Sequence, residues 1–273
     1  MCTSDSARDA AGASERGQRE IRAFRDEYPG GYLEGDPLDP LARSSFLDGG
    51  YLSVLHACYL VCIKPYVGPQ TRVLELGPGR GAWTRCFVEC GAREICCVDA
   101  ITAEKNRFWD YVGQRPNVRY LVVEDFTLRD VPDGHFDYFF AFGVLCHISP
   151  PFVHEYLRNL HRKLRPGANG FALIADYEKY NRFLEQGRQY SVARALRDCF
   201  GGPAVEDFLR DNQGTHFQAR YRRSLVEDDQ IDPNRWYHLG VARAAELLGS
   251  AGFTVVSPDV GVLHRDPVVH FRK

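Results

Sequence analysis

Val73-Leu74-Glu75-Leu76-Gly77-Pro78-Gly79-Arg80-Gly81 decides how this chain is read. A hydrophobic strand ends in Gly-x-Gly-x-Gly, and a helix over residues 82–90 starts directly after it, closed by Gly91. Glycine is needed at such a turn because a side chain would block both the tight bend and a ligand approaching the backbone. The helix start that follows offers free N–H groups and a partial positive charge to an anionic group.

Outward from this turn the chain alternates. Strands are predicted at 71–76, 94–98, 118–123, 136–142 and 171–175, with helices at 103–112 and 151–164. In the latter helix Phe152, Val153, Tyr156, Leu157 and Leu160 share a face, and Pro166-Gly167 stops it. Apolar strands alternating with helices imply a parallel sheet covered on both faces. The rhythm breaks at Tyr177. Residues 177–235 are too long for a simple connection and read as an inserted, substrate-covering cap with helices at 189–200 and 204–211. A helix at 238–248 and strands at 253–257 and 267–272 complete the series. Upstream, 51–66 reads as a buried helix stopped near Pro65, and 21–50 as a short helix followed by irregular structure. Residues 1–20 have no apolar core and read as a disordered, solvated tail. The expected organisation is therefore tail 1–20, helical cap region 21–66, a central domain of 67–176 and 236–273, and the inserted cap 177–235.

Composition narrows the function classes. The 273 residues carry a formal charge of -2, with 44% hydrophobic and 26% charged residues. That is ordinary for a globular protein and gives no global attraction to nucleic acid or an anionic membrane. No segment approaches the ~20 apolar residues of a membrane helix, and a cytoplasmic location is expected. Nine cysteines, none in a CxxC pair, read as reduced core residues rather than a disulfide framework. A zinc site or redox switch is the alternative.

The glycine string fits two readings. Gly77, Gly79 and Ala82 also satisfy the dinucleotide fingerprint, with Asp99 about 20 residues on, so a nicotinamide-dependent oxidoreductase stays open on these residues alone. Taken with further motifs, however, the chain resembles the class I S-adenosylmethionine-dependent methyltransferases of small-molecule type. Glu75 stands two positions before the first glycine, and Asp99 ends the second strand in Cys97-Val98-Asp99-Ala100. The third strand runs into Glu124-Asp125-Phe126, the fourth is Phe136-Asp137-Tyr138-Phe139-Phe140-Ala141-Phe142-Gly143, and Leu164-Arg165-Pro166-Gly167 precedes the fifth. The resemblance covers about 70–176 well and 238–273 loosely.

It implies a seven-stranded Rossmann-like α/β sheet, mostly parallel with an antiparallel last strand, helices on both faces and a helical cap after the fifth strand. It further implies S-adenosylmethionine as cofactor, held by Glu75, Gly77, Gly79, Gly81, Asp99, Ala100, Asp125, Phe126 and Phe142. In that scheme Glu75 helps hold the ammonium end and Asp99 accepts hydrogen bonds from both ribose hydroxyls. Asp125 takes the adenine amino group, and Phe126 lies by the ring.

His147 follows the fourth strand at the carboxyl edge of the sheet, where ligands bind in open α/β folds. It is the candidate general base, or it shapes the loop. Asp176 ends the fifth strand and is the second catalytic candidate, with a loop hydrogen bond as its alternative. His216 and His238 are weaker candidates. Phe217-Gln218-Ala219-Arg220-Tyr221-Arg222-Arg223 reads as an anion or flat-ring site, or as a solvated face. No metal site is expected, because Ala141-Phe142-Gly143 stands where metal-dependent relatives carry a carboxylate. The expected partner is a small-molecule methyl acceptor, with no nucleic acid and no membrane; a homodimer is left open. A catalytically silent binding module on the same fold is the remaining alternative.

Overall fold

The structure, a computed structural model, describes residues 4–33, 35–40, 53–180, 182, 202–203 and 237–273. Helix α1 (Ser4–Glu27) precedes α2 (Val54–Cys58), which continues as one π-helical turn, Tyr59–Ile63. Then follow β1 (Arg72–Leu76), α3 (Ala82–Glu89), β2 (Glu94–Asp99), α4 (Phe108–Val112), β3 (Val118–Val122) and β4 (Phe136–Ala141). A 3-10 turn at Leu145–His147 leads to α5 (Pro150–Lys163) and β5 (Leu164–Leu173). Further along the chain come α6 (Val241–Ser250), β6 (Thr254–Ser257) and β7 (Val268–Arg272).

The strands form one seven-stranded sheet in the order β3-β2-β1-β4-β5-β7-β6. β1 pairs parallel with β2 and β4, β2 with β3, and β4 with β5, while β7 runs antiparallel to both β5 and β6. This is the sheet expected from the sequence. Strand order reverses at β1 and β4, so the crevice beyond their carboxyl ends is where a ligand belongs.

Strand alternation sorts side chains into two cores. Leu74, Leu76, Cys96, Val98, Phe139 and Ala141 pack with α5 and α6, whereas Val73, Ile95, Cys97, Tyr138 and Phe140 pack with α2, α3 and α4. Burying each large apolar side chain contributes roughly 1.5–3 kcal/mol, which holds helices on both faces. The seven described cysteines carry free thiols, and Cys58, Cys62, Cys86, Cys96 and Cys97 are fully buried in these cores. Burial pushes the Cys96 thiol up to about 11, so it stays protonated and inert.

Three sequence expectations need correction. Residues 1–20 were expected as a solvated tail, but α1 starts at Ser4 and buries Gly17, Glu20 and Ile21. Its first residues are too polar to look like a packed helix; Gly17, Ile21, Phe24 and Tyr28 nevertheless stand at helical spacing, and that face carries the packing. The fifth strand starts earlier than expected. Phe136 pairs with Leu164 and Tyr138 with Asn169, so Pro166-Gly167 bulges from the ladder instead of ending it. The helix expected at 103–112 is helical only over Phe108–Val112. No helix among the described residues is long and apolar enough to cross a membrane.

Candidate active site

The glycine loop after β1 is shaped by contacts that leave no room for a side chain. Gly77 has φ +62°, and a Cβ there would collide with Val144 Cγ2. At Gly79 (φ +53°) a Cβ would sit 3.0 Å from the Tyr32 carbonyl oxygen. Backbone bonds fix the loop: Gly77 N–H donates to Val98 O (2.8 Å) and Arg80 N–H to Tyr32 O (3.1 Å). Gly81 caps α3, and a Cβ there would strike Val112, so its role is packing between helices.

Beyond this loop lies a cleft with about 900 Å³ of empty space, the open solvent at its mouth included. Gly77 and Gly79 form one wall, Asp99, Ala100 and Ile101 another, and Phe142, Gly143, Val144, His147 and Ile148 a third. Phe126 and Tyr156 close one end. The remaining wall is α1 and the irregular segment after it, through Glu20, Ile21, Phe24, Tyr28 and Tyr32.

α1 is sewn in place. Arg25 donates from Nε to Ala100 O (2.8 Å) and from Nη2 to Val123 O (3.0 Å), gripping the carboxyl ends of β2 and β3. Glu20 accepts from Ser149 N–H and Oγ, both at 2.7 Å. Phe24 and Tyr28 stack on each other at 4.8 Å and lie 5.8 and 6.5 Å from the His147 ring.

Seven of the expected residues meet in this cleft: Gly77, Gly79, Asp99, Ala100, Phe126, Phe142 and His147. Phe126 stacks on Phe152 at 5.1 Å, which fixes its ring. Four do not line it: Gly81, Glu75, Asp125 and Asp176. Because alternate residues of a strand point to opposite faces, Glu75 shares the face of Val73, away from Leu74 and Leu76. It is buried and accepts from Thr84 Oγ1 (2.6 Å) and Cys97 Sγ (3.4 Å), tying β1 to α3. Asp125 turns into its own loop, accepting from Thr127 N–H (2.9 Å), Thr127 Oγ1 (2.5 Å) and Arg129. Asp176 accepts from Glu178 N–H, Lys179 N–H and Val241 N–H, so it caps the helical turn at 177–180 and anchors α6. His238 accepts from Tyr177 N–H at 3.1 Å, a structural bond, and burial lowers its pKa. His216 and residues 217–223 lie outside the described residues.

Asp99 is buried and accepts from Ile101 N–H (2.9 Å) and Asn106 Nδ2 (3.1 Å), with Gly79 N–H a further donor. Tyr120 hydroxyl donates to Ile101 O at 2.8 Å. Burial outweighs these donors and raises its pKa to about 6. A carboxylate raised in this way binds its proton more tightly folded than unfolded. The stability it adds is present below about pH 4 and is lost as pH rises through 6. Ligand binding would have the opposite sign, if the ionised form accepts a ribose hydroxyl. The affinity for an adenosyl ligand should fall about tenfold between pH 7 and pH 5, measured by calorimetric titration; a flat profile would remove Asp99 from the contact.

A family model described as a methyltransferase domain matches residues 24–227, most of the chain. The chain belongs to the class I S-adenosylmethionine-dependent methyltransferases. This methyltransferase has the fold of an S-adenosylmethionine-dependent methyltransferase from Mesorhizobium loti, at 16% identity and TM-score 0.52, covering 81% of this chain and 98% of that one. It also has that of a Methanosarcina mazei methyltransferase, at 14% identity and TM-score 0.50, covering 78% and 97%. The dinucleotide reading of Gly77, Gly79 and Ala82 is thereby set aside. S-adenosylmethionine is the cofactor, and the residues present fit it: the glycine cradle that any Cβ would fill, the acid at Asp99 and the apolar wall at Phe126 all face one cleft. Ile21, Phe24, Tyr28 and Tyr32 belong to the 21–66 region expected to close over the substrate; what the sequence missed is Glu20, Asn106 and Tyr156.

Proposed function

We propose that this methyltransferase transfers a methyl group to an oxygen or nitrogen of a small molecule, a sugar or other specialised metabolite, without a metal ion. The observation that carries this reading is the position of His147. It lies on the cleft wall beside the glycine loop and is covered by Phe24 and Tyr28, so an acceptor there is enclosed rather than laid along an open groove. The cofactor supplies a methyl group already activated by a sulfonium, so much of the catalysis comes from alignment.

Gly77, Gly79, Asp99, Ala100, Phe126 and Phe142 hold the cofactor in this reading. His147 takes the proton from an acceptor hydroxyl or ammonium as the nucleophile forms its new bond. α1 and the inserted region 177–235 exclude water from the acceptor. The absence of a carboxylate at Ala141-Phe142-Gly143 supports metal independence. The metabolite class rests on family analogy.

Methyl transfer from labelled cofactor to a panel of sugars, phenols and amines, with and without a chelator, tests the proposal. Transfer to at least one small acceptor, unchanged by chelator, is expected. Cofactor binding with transfer only to protein or nucleic acid would overturn it.

A further inference from the structure

We infer that the hydroxyl of Tyr156, on α5, donates a hydrogen bond to a ring nitrogen of the cofactor's adenine. The inference rests on the methyltransferase reading and goes beyond it, because none of the residues expected to hold the cofactor comes from α5. Tyr156 lines the cleft, yet it is only 2% exposed. Its ring packs in the core between the sheet and α5. It crosses the Phe126 ring at 70°, with centroids 5.8 Å apart.

The hydroxyl is what needs an account. Its oxygen is buried and has no hydrogen-bonding partner among the described residues. Buried polar groups are as a rule hydrogen-bonded, and one left unpaired costs stability. Phenylalanine would fill the same space without that cost. Phe152, four residues earlier and so on the same helix face, does so, stacking on Phe126 at 5.1 Å. Packing on Phe126 therefore explains the ring of Tyr156 but not its oxygen.

Its neighbours place the hydroxyl at the nucleoside end of the cleft. Burial raises the Tyr156 pKa, and Asp99 and Cys96 push it the same way, so the phenol keeps its proton and is a donor. With Asp99 at the ribose and Phe126 by the base, as the resemblance implies, the donor next to both is Tyr156. The ring nitrogens of adenine only accept, so each needs an N–H or O–H. The other side chains on the cleft that carry one are committed or lie elsewhere. Asn106 donates to Asp99 and Tyr120, Tyr28 stands by His147, and Tyr32 stands beside Gly79. Among the described residues, Tyr156 is the side-chain donor for the base.

The test is calorimetric titration of the full chain, wild type and Tyr156→Phe, with S-adenosylhomocysteine and its three deaza analogues, each with one ring nitrogen replaced by C–H. Tyr156→Phe should bind S-adenosylhomocysteine about five- to twentyfold more weakly. Its ligand-free Tm should equal or exceed that of the wild type, because an unpaired buried hydroxyl is gone. In the wild type, one deaza analogue should show a loss of the same size. Tyr156→Phe should bind that analogue and S-adenosylhomocysteine equally, to within about twofold, since the two changes remove one bond. A lower Tm with unchanged affinity would make the hydroxyl structural and overturn the inference. Losses that add for all three analogues would overturn it too, because the hydroxyl would then reach some other atom. Failure of the wild type to bind S-adenosylhomocysteine at all would instead overturn the methyltransferase reading.

Discussion

Gly77→Val should lower S-adenosylhomocysteine affinity by roughly thirty- to several-thousandfold. Two costs combine. The residue sits at φ +62°, a region that disfavours a β-branched side chain by roughly 1–2 kcal/mol or more. Its Cβ would also meet Val144 Cγ2 in the neighbouring loop after β4, and relieving that overlap costs about 1–3 kcal/mol. Val144 belongs to the loop that leads to His147, so the chain relieves the clash by moving the Gly77 turn, the His147 loop or both. Either movement spoils the cradle. The variant's melting curve separates the two costs. A loss of binding with a modest drop in Tm places the damage at the loop, whereas unchanged affinity would show that the cofactor does not approach Gly77.

His147→Asn should lower kcat about a hundredfold at neutral pH while leaving S-adenosylhomocysteine affinity within about threefold. His147 is placed by its backbone: the N–H donates to Val144 O at 2.9 Å, closing the 3-10 turn that carries the ring to the cleft. Asparagine keeps a polar group there but has no group that titrates near neutrality. The pH dependence of the rate should therefore differ from that of the wild type. An unchanged kcat would assign His147 to shaping the loop, and a loss of cofactor affinity with unchanged kcat would assign it to cofactor binding.

The sheet was legible because each of its strands carries an apolar run bounded by turn residues, and because Gly77-Pro78-Gly79 announces a close backbone approach. The site was legible in part. Strand ends locate residues well, so Asp99, Ala100, Phe142 and His147 fall on the cleft as expected. Side-chain direction is harder to read. Glu75 and Asp125 stand at the right strand ends, but the pleat turns Glu75 toward Thr84 and an Asx-type turn keeps Asp125 with Thr127. Asp176 went the same way, since a carboxylate one residue before a helical turn satisfies that turn's N–H groups first.

The largest gap was α1. Its polar composition argues against a buried role, yet Glu20, Ile21 and Phe24 line the cleft. Glu20 is the sharpest case, because its partner Ser149 lies 129 positions away and no local pattern announces the pairing. Phe24, Tyr28 and Tyr32 could be seen as aromatics, but not as the wall opposite Gly79 and His147.

The account depends on one adenosyl site between the glycine loop and α1. Titration of the full-length chain with S-adenosylhomocysteine, with NADH run in parallel, tests that most directly. Saturable one-to-one binding of S-adenosylhomocysteine in the micromolar range or tighter, with no heat from NADH, is the predicted result. No binding of S-adenosylhomocysteine, or tighter binding of NADH, would contradict it.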